Sequence, residues 1–527
     1  MVLLTQELEW GNDKMTNKNM DYTNIPKEKF VFCNDNKELH DKKLETKPVG
    51  YFQDAMMRFA RNKSSVTAAV IIFLLVLFAI FAPIIGSTKY TDNPTDTMYL
   101  QYGKLLPKWD LFEWAGWDGS KDETISKNVY LTYMAIEAET GMNPIVEVYR
   151  ADYQSDNKSA IGTYYDVRID SYVANGMMFL NLTQSQYEDI QAWQDETGIQ
   201  VIYPAVDDSK IATGSLKADA NIWFECNQKG APVTKNGEYV NIYVTKGNDG
   251  DYDSLRIEGD DGSYRYAKVS GDSSALSYKV RVMKNTYFQY RYGYEPEFIF
   301  GTNSLGQDIF TRLGGGARFS FIFAICISVI NLLIGAIYGA IEGYYGGVID
   351  LTMERISDIL SGIPFVVVTT LFQLHLASKV GAIPSLLFAF VLTGWIGTAS
   401  KTRMQFYRYK NQEYVLAART LGASDFRIMF KHIFPNAIGT LITGSVLVIP
   451  SVIFSEGNLT YLGIVNLDSS TMTSVGSMLS KGQPFLTTHP HIILFPAIFI
   501  SLLMISFNLF GNGLRDAFNP SLRGTED

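Results

Sequence analysis

The stretch Glu413-Tyr-Val-Leu-Ala-Ala-Arg-Thr-Leu-Gly-Ala-Ser424, followed by His432-Ile-Phe-Pro435-Asn436, decides how this chain is read. It is a charged, alanine-faced run of helix formers that lies just ahead of a strongly apolar segment. Ala417 and Ala418 are small and adjacent, so a helix carrying them can sit deep in a groove of a partner protein. Gly422 can take the left-handed conformation that ends a helix. Ser424 stands where the next helix would be capped, and Asp425 favours that helix's positive end. Pro435 is tolerated early in a helix, where its missing N–H costs nothing. The pattern predicts a helix–turn–helix ahead of an apolar helix, rigid enough to transmit a push.

Working outward, six runs are apolar enough to cross a bilayer or nearly so: 66–85, 319–341, 363–377, 383–399, 438–454 and 492–509. About 20 apolar residues are needed to span, so the third and fourth runs must borrow from their neighbours. The first run lies too far from the N-terminus, and is too long, for the core of a cleaved signal. Arg58, Arg61 and Lys63 precede it, which places residues 1–65 in the cytoplasm by the positive-inside tendency. Residues 1–50 read as a polar tail, and Tyr51, Phe52, Met56, Met57 and Phe59 suit a short amphipathic helix on the inner membrane surface. Six spans put both termini in the cytoplasm, together with the loop bearing Lys401, Arg403, Arg408, Lys410, Arg419, Arg427 and Lys431. The connection 342–361 should lie on the same side, yet it carries Glu342, Asp350, Glu354 and Asp358 against Arg355.

The net charge of −9 over 527 residues comes from the block between the first two runs, where residues 88–297 hold 32 acidic against 20 basic side chains. This block reads as an α+β domain outside the cell. Strand-like stretches fall at 145–149, 164–172, 177–182, 199–203, 239–244, 263–269 and 278–283, with a helix at 184–196 opened by Thr183 and stopped by Gly198. An acidic, tyrosine-rich face excludes nucleic acid as its natural partner. The three cysteines, Cys33, Cys226 and Cys326, fall in cytoplasm, exterior and bilayer, so they neither pair within the chain nor offer metal spacing. Gly335, Gly339 and Gly343 recur every four residues on one helix face. That face suits close helix packing within the bundle, or a seam against a partner membrane subunit.

The ordered set Glu-x3-Ala-Ala-x3-Gly-Ala-Ser, then His-Ile-x-Pro-Asn, resembles the "EAA" coupling loop of ABC-importer permeases. The stretch from Gly301 onward resembles the C-type transmembrane subunit of oligopeptide/dipeptide ABC importers. It does so through Gly301-Thr-Asn-Ser-Leu-Gly-Gln-Asp308, Gly343-Tyr-Tyr-Gly-Gly347, Tyr461-Leu-Gly463, Asn508-Leu-Phe-Gly-Asn-Gly-Leu-Arg-Asp516 and Asn519-Pro520. Asn303, Gln307 and Asn512 depart from that family's usual Asp, Arg and Asp. The 88–297 block is also far longer than the family's short external segment. The resemblance implies an all-α polytopic membrane protein of the type I ABC importer permease fold, with six helices, into which this chain inserts the α+β domain. In domain terms this is a 1–65 tail, a first span at 66–85, the 88–297 insertion, a five-span core at 301–510 with coupling loop 401–436, and a 511–527 tail. It further implies a second homologous permease, two cytoplasmic ATPases that bind ATP and Mg, and an external peptide-binding lipoprotein. Glu413, Tyr414, Ala417, Ala418, Arg419, Gly422, Ala423, Ser424 and Pro435 would receive the ATPase. The expected setting is a bacterial plasma membrane, crossed several times.

No G-x4-G-K-[ST] loop is present, so the chain offers no nucleotide site of its own, and no cofactor or catalytic residue is expected in it. His375 suits a packed or water-facing site in the third run, and His489 and His491 straddle Pro490, a weak metal pattern. Glu342 and Glu456 lie near span ends. The alternatives are a permease of the same group for nickel or another small solute, and a receptor sensing ligand through 88–297. A receptor expects a cytoplasmic effector domain, which 511–527 do not supply. A membrane enzyme expects a catalytic pair at membrane depth, and none stands out.

Overall fold

The computed structural model describes residues 51–89, 97–154, 163–206, 257–272, 276–468 and 472–518, with short pieces at 220, 233–235 and 238–239. Residues 1–50, Cys33, Cys226, most of the 239–244 stretch and Asn519-Pro520 therefore lie outside the described residues. The described residues from Ala55 onward belong to one unit.

Among the described residues, five helices are long and apolar enough to cross a membrane: Lys63–Gly86, Ile309–Tyr345, Ala382–Tyr409, Asp425–Tyr461 and His491–Phe518. The run at 363–377 is not a straight span. It forms the second half of a pair, Gly347–Ser361 and Phe365–His375, bent by 72°. The bend falls at Ser361-Gly-Ile-Pro364, because a residue before proline is pushed out of the helical region. Counting the pair gives six spans. The 342–361 connection is thus not a loop but largely this first helix.

Two other boundaries differ from the sequence reading. The fourth helix runs on to Tyr409, so Lys401, Arg403 and Arg408 sit on a helix rather than in a loop. The fifth begins at Asp425, far ahead of residue 438. Its turn Ile428–Ile433 is π-helical and leads directly into Pro435. A proline inside a helix removes a donor and crowds the preceding turn, and the wider π turn accommodates it.

The glycine face of the Ile309–Tyr345 helix packs on the fourth helix of the same chain, not on another subunit. A Cβ on Gly335 would lie 2.7 Å from Thr398 Cβ, one on Gly339 2.8 Å from Thr402 Cβ, and one on Gly343 2.7 Å from Phe406 Cβ. Near its start, the polar turn at Thr302 to Asp308 is a cap. Asn303 Oδ1 accepts from the Leu305 and Gln307 amides, and the Asp308 carboxylate accepts from those of Phe310 and Thr311.

Among the described residues, two larger antiparallel sheets and a short ribbon of Thr234–Lys235 against Glu238–Tyr239 lie between the first two spans. Ser120–Ser126 pairs with Thr163–Asp170, which also pairs with Ile145–Gln154. Ser277–Met283 pairs with Met177–Thr183, Ile202–Tyr203 and Ala267–Ser270. Tyr165, Val167 and Ile169 alternate inward, as period-2 patterning requires. Thr183 and Gln186 form a reciprocal capping box on the helix Gln184–Thr197, which Gly198 closes at φ 72°. Buried Arg281 is paired with Glu139.

Candidate functional site

Residues 410–436 form a compact hairpin at one end of the bundle. The helix Glu413–Thr420 ends at Leu421 and Gly422, whose φ of 79° is left-handed. Gly422 donates to Arg419 O and Ala423 to Ala418 O, at 3.0 and 3.1 Å, closing the turn. The Ser424 hydroxyl then accepts from Arg427 N and caps the next helix. This turn follows from Gly-x-Ser: the first residue supplies the conformation and the third the cap.

The hairpin is not a free loop. Val415, Ile428, Met429 and Ile433 are buried against Ala340, Tyr344 and Phe406 of the second and fourth helices. The Tyr344 hydroxyl donates to Asp425 Oδ1 at 2.6 Å, and the Arg419 guanidinium lies over the Tyr344 ring. Asn436 Nδ2 donates to the Tyr414 hydroxyl at 3.1 Å and to His432 O at 2.9 Å, joining the two arms. A push on the hairpin therefore reaches the second, fourth and fifth helices through side chains in contact.

Of the singled-out residues, Glu413, Tyr414, Ala417, Arg419, Gly422, Ser424 and Pro435 are exposed, while Ala418 and Ala423 are half-buried. Sequence reasoning missed the apolar residues beside them. Leu421 is 88% and Phe426 68% exposed, and Phe426, Phe430 and Phe434 follow one another along one side with centroids 4.6 and 6.0 Å apart. Their i, i+4, i+8 spacing was the available signal. Leu421, Phe426 and Phe430 thus expose apolar surface on the hairpin, while Phe434 packs against its buried cluster.

Two of the four acidic residues in 342–361, Asp350 and Glu354, find their counter-ion here. Arg403 Nε and Nη2 donate to the Asp350 carboxylate at 2.6 and 2.9 Å, and Nη1 and Nη2 donate to Glu354 at 2.8 and 3.1 Å. The Tyr407 hydroxyl adds a bond to Asp350 at 2.5 Å, and Lys410 Nζ donates to Gly343 O at 2.9 Å. Burial lowers the Lys410 ammonium's pKa, against the opposing pull of Asp350. Elsewhere, fully buried Glu456 accepts from the Ser320 and Thr460 hydroxyls, each at 3.1 Å. Buried His491 approaches Thr302 O at 3.3 Å through Nε2. Among the described residues no group of His, Cys, Asp or Glu is arranged to hold a metal.

The sequence matches known families over two stretches. A family described as the inner membrane component of binding-protein-dependent transport systems matches residues 332–524, and the N-terminal transmembrane domain of oligopeptide transport permease C matches 50–107. The oligopeptide transport system permease protein OppC of Bacillus subtilis (strain 168) is 44% identical over 224 residues, covering 42% of this chain and 72% of that protein. This chain belongs to the C-type permeases of oligopeptide and dipeptide ABC importers. The dipeptide permease DppC of the same organism is 42% identical over 225 residues, covering 42% of this permease and 69% of that one. OppC of Haemophilus influenzae is 37% identical over 230 residues, covering 44% and 72%. Among solved structures, an inward-facing MetNI methionine ABC transporter is similar at TM-score 0.33 and 14% identity, over 40% of this permease and 96% of that chain, too distant to carry weight. Residues 108–331, which include the sheets, fall between the two family matches.

Proposed function

We propose that this permease forms half of the translocation pathway of an ABC importer for oligopeptides or dipeptides, driven by a separate ATPase that docks on residues 413–436. The observation that carries the reading is the hairpin itself: an exposed apolar ridge at Leu421 and Phe426, held by a buried cluster on three spans. Polar hairpins gain nothing from exposing a phenylalanine to water, since burying one is worth about 1.5–3 kcal/mol. ATP and Mg belong to the partner ATPases, two per complex. A second permease of similar fold completes the pathway, and an external lipoprotein delivers the peptide.

In this reading the fold is that of a type I importer subunit with six spans and both termini in the cytoplasm. The 413–436 hairpin then faces the cytoplasm, consistent with its Arg419, Arg427 and Lys431. The 88–297 insertion is an extracytoplasmic α+β domain over the pore entrance, where it meets the binding protein or the second permease.

The test is uptake by the complete importer in proteoliposomes loaded with ATP. Wild-type vesicles should accumulate a labelled peptide and not nickel. Leu421→Asp/Phe426→Asp should abolish uptake while the permease still inserts and assembles with the second permease. Peptide uptake unchanged by that pair of substitutions would overturn the docking assignment, and accumulation of nickel in place of peptide would overturn the cargo.

A further inference from the structure

A cavity of about 350 Å³ opens between the fourth, fifth and sixth spanning helices at the hairpin's end of the bundle. Lys401 and Arg408 from the fourth helix and Arg515 from the sixth line it, and no carboxylate does. Among the described residues none of these three cations is paired with an acid, unlike neighbouring Arg403, which is held by two. Three like charges around one cavity repel one another unless an anion sits among them.

Depth selects the anion. The fourth and sixth helices each have 28 residues, so each is about 42 Å long at ~1.5 Å per residue, against a hydrocarbon core of about 30 Å. The excess must protrude. Arg408 and Arg515 lie in the last turns, at headgroup depth, and Lys401, about two turns deeper, reaches that zone from its inner edge along a flexible stem. The remaining lining suits an amphiphile. Met404 is 58% exposed and Leu447 adds apolar surface where an acyl chain would run. Gln405 Oε1 is buried in the same lining without a hydrogen-bond partner, and such an amide is left open for a ligand's hydroxyl.

We propose that this cavity binds the phosphate headgroup of an anionic phospholipid, with Lys401, Arg408 and Arg515 on the phosphate and Gln405 on a headgroup hydroxyl. Basic pockets between spanning helices recognise lipid phosphates through this chemistry. Arginine contributes planar, two-pronged contacts and lysine a mobile point charge. The site rests on the helices spanning a bilayer and not on which end is cytoplasmic, so it stands or falls apart from ATPase docking.

The experiment uses the full chain, purified and exchanged into nanodiscs of mixed phosphatidylglycerol and phosphatidylcholine, then released for native mass spectrometry. Wild type should retain one phosphatidylglycerol that Lys401→Gln/Arg408→Gln/Arg515→Gln retains at least tenfold less. Gly444→Leu is a second variant that keeps every charge. A Cβ at Gly444 would meet Lys401 Nζ at 3.4 Å, so leucine fills the cavity and should also lower retention. Phosphatidylcholine retention should not change. Equal phosphatidylglycerol retention by all three proteins would overturn the site. Parallel loss of phosphatidylcholine would show only an unspecific lipid shell, and displacement by inorganic phosphate would assign the cavity to the free ion; either result also overturns it.

Discussion

Replacing Arg403 with glutamine isolates the strongest polar link between the bent pair and the fourth helix. The guanidinium makes four hydrogen bonds to two carboxylates, with the Asp350 side chain 8% and the Glu354 side chain 36% exposed. Removing the cation from a buried pair costs about 3–5 kcal/mol, because it strands the remaining charge. Two features reduce this. Arg403 is itself 23% exposed, and the Tyr407 hydroxyl still donates to Asp350. The half-exposed Glu354 arm adds at most about 1 kcal/mol. The expected loss is therefore about 3 kcal/mol, nearly all through Asp350. Arg403→Gln, Asp350→Asn and the double variant, unfolded reversibly in mixed micelles, form a cycle. Its coupling energy should be about 2–3 kcal/mol, since removing both partners leaves no stranded charge. A coupling below about 0.5 kcal/mol would refute the clamp, that being the scatter between independent sites.

Three further outcomes follow from the geometry. Glu456→Gln keeps an oxygen to accept from Thr460 and offers an NH2 that can donate to the Ser320 hydroxyl, and should cost under about 1 kcal/mol, whereas Glu456→Ala removes the Ser320 hydroxyl's partner, leaves Thr460 only its bond to Glu456 O and opens a void, costing about 2–4 kcal/mol in the same micelle unfolding assay. Gly339→Leu drives a side chain into Thr402 and should cost about 1–3 kcal/mol or prevent folding, while Gly315→Leu, where a Cβ meets nothing within 4 Å, should leave the yield of folded protein unchanged. In the insertion, burial raises the Asp118 carboxyl, but bonds from Ser120 and Arg168 outweigh it and hold the group below its ordinary value. That contribution is complete above about pH 4 and is lost as pH falls through the depressed value. Tryptophan fluorescence of wild type against Asp118→Asn should show the difference vanish in acid, by about 1 kcal/mol at most for so exposed a pair.

How much of this was legible follows from the range of the forces involved. The turn at Gly422 and Ser424, the cap at Thr183 and the stop at Gly198 are local, and they read directly from residue type. The apolar runs locate the spans but not their ends. Helix 382–409 continues past its apolar part because Arg403, Tyr407 and Lys410 find partners across the groove, and those pairings join residues 53 to 67 apart. The strand Ser120–Ser126 escaped because it is polar apart from Ile125, its single buried residue, and pairs only with Thr163–Asp170. The helix after it, Lys127–Thr140, has too weak a polar and apolar division to stand out. The π turn ahead of Pro435 was invisible for another reason: proline announces a disturbed helix without saying how the backbone relieves it.

In the proposed function a nucleotide-binding partner grips the hairpin. A photoreactive amino acid placed at Phe426, in the assembled importer within its native membrane, tests this most directly. The account predicts a crosslink to the ATPase subunit whose yield changes when ATP is trapped. A crosslink that reaches only lipid or the second permease, with no nucleotide dependence, would contradict it.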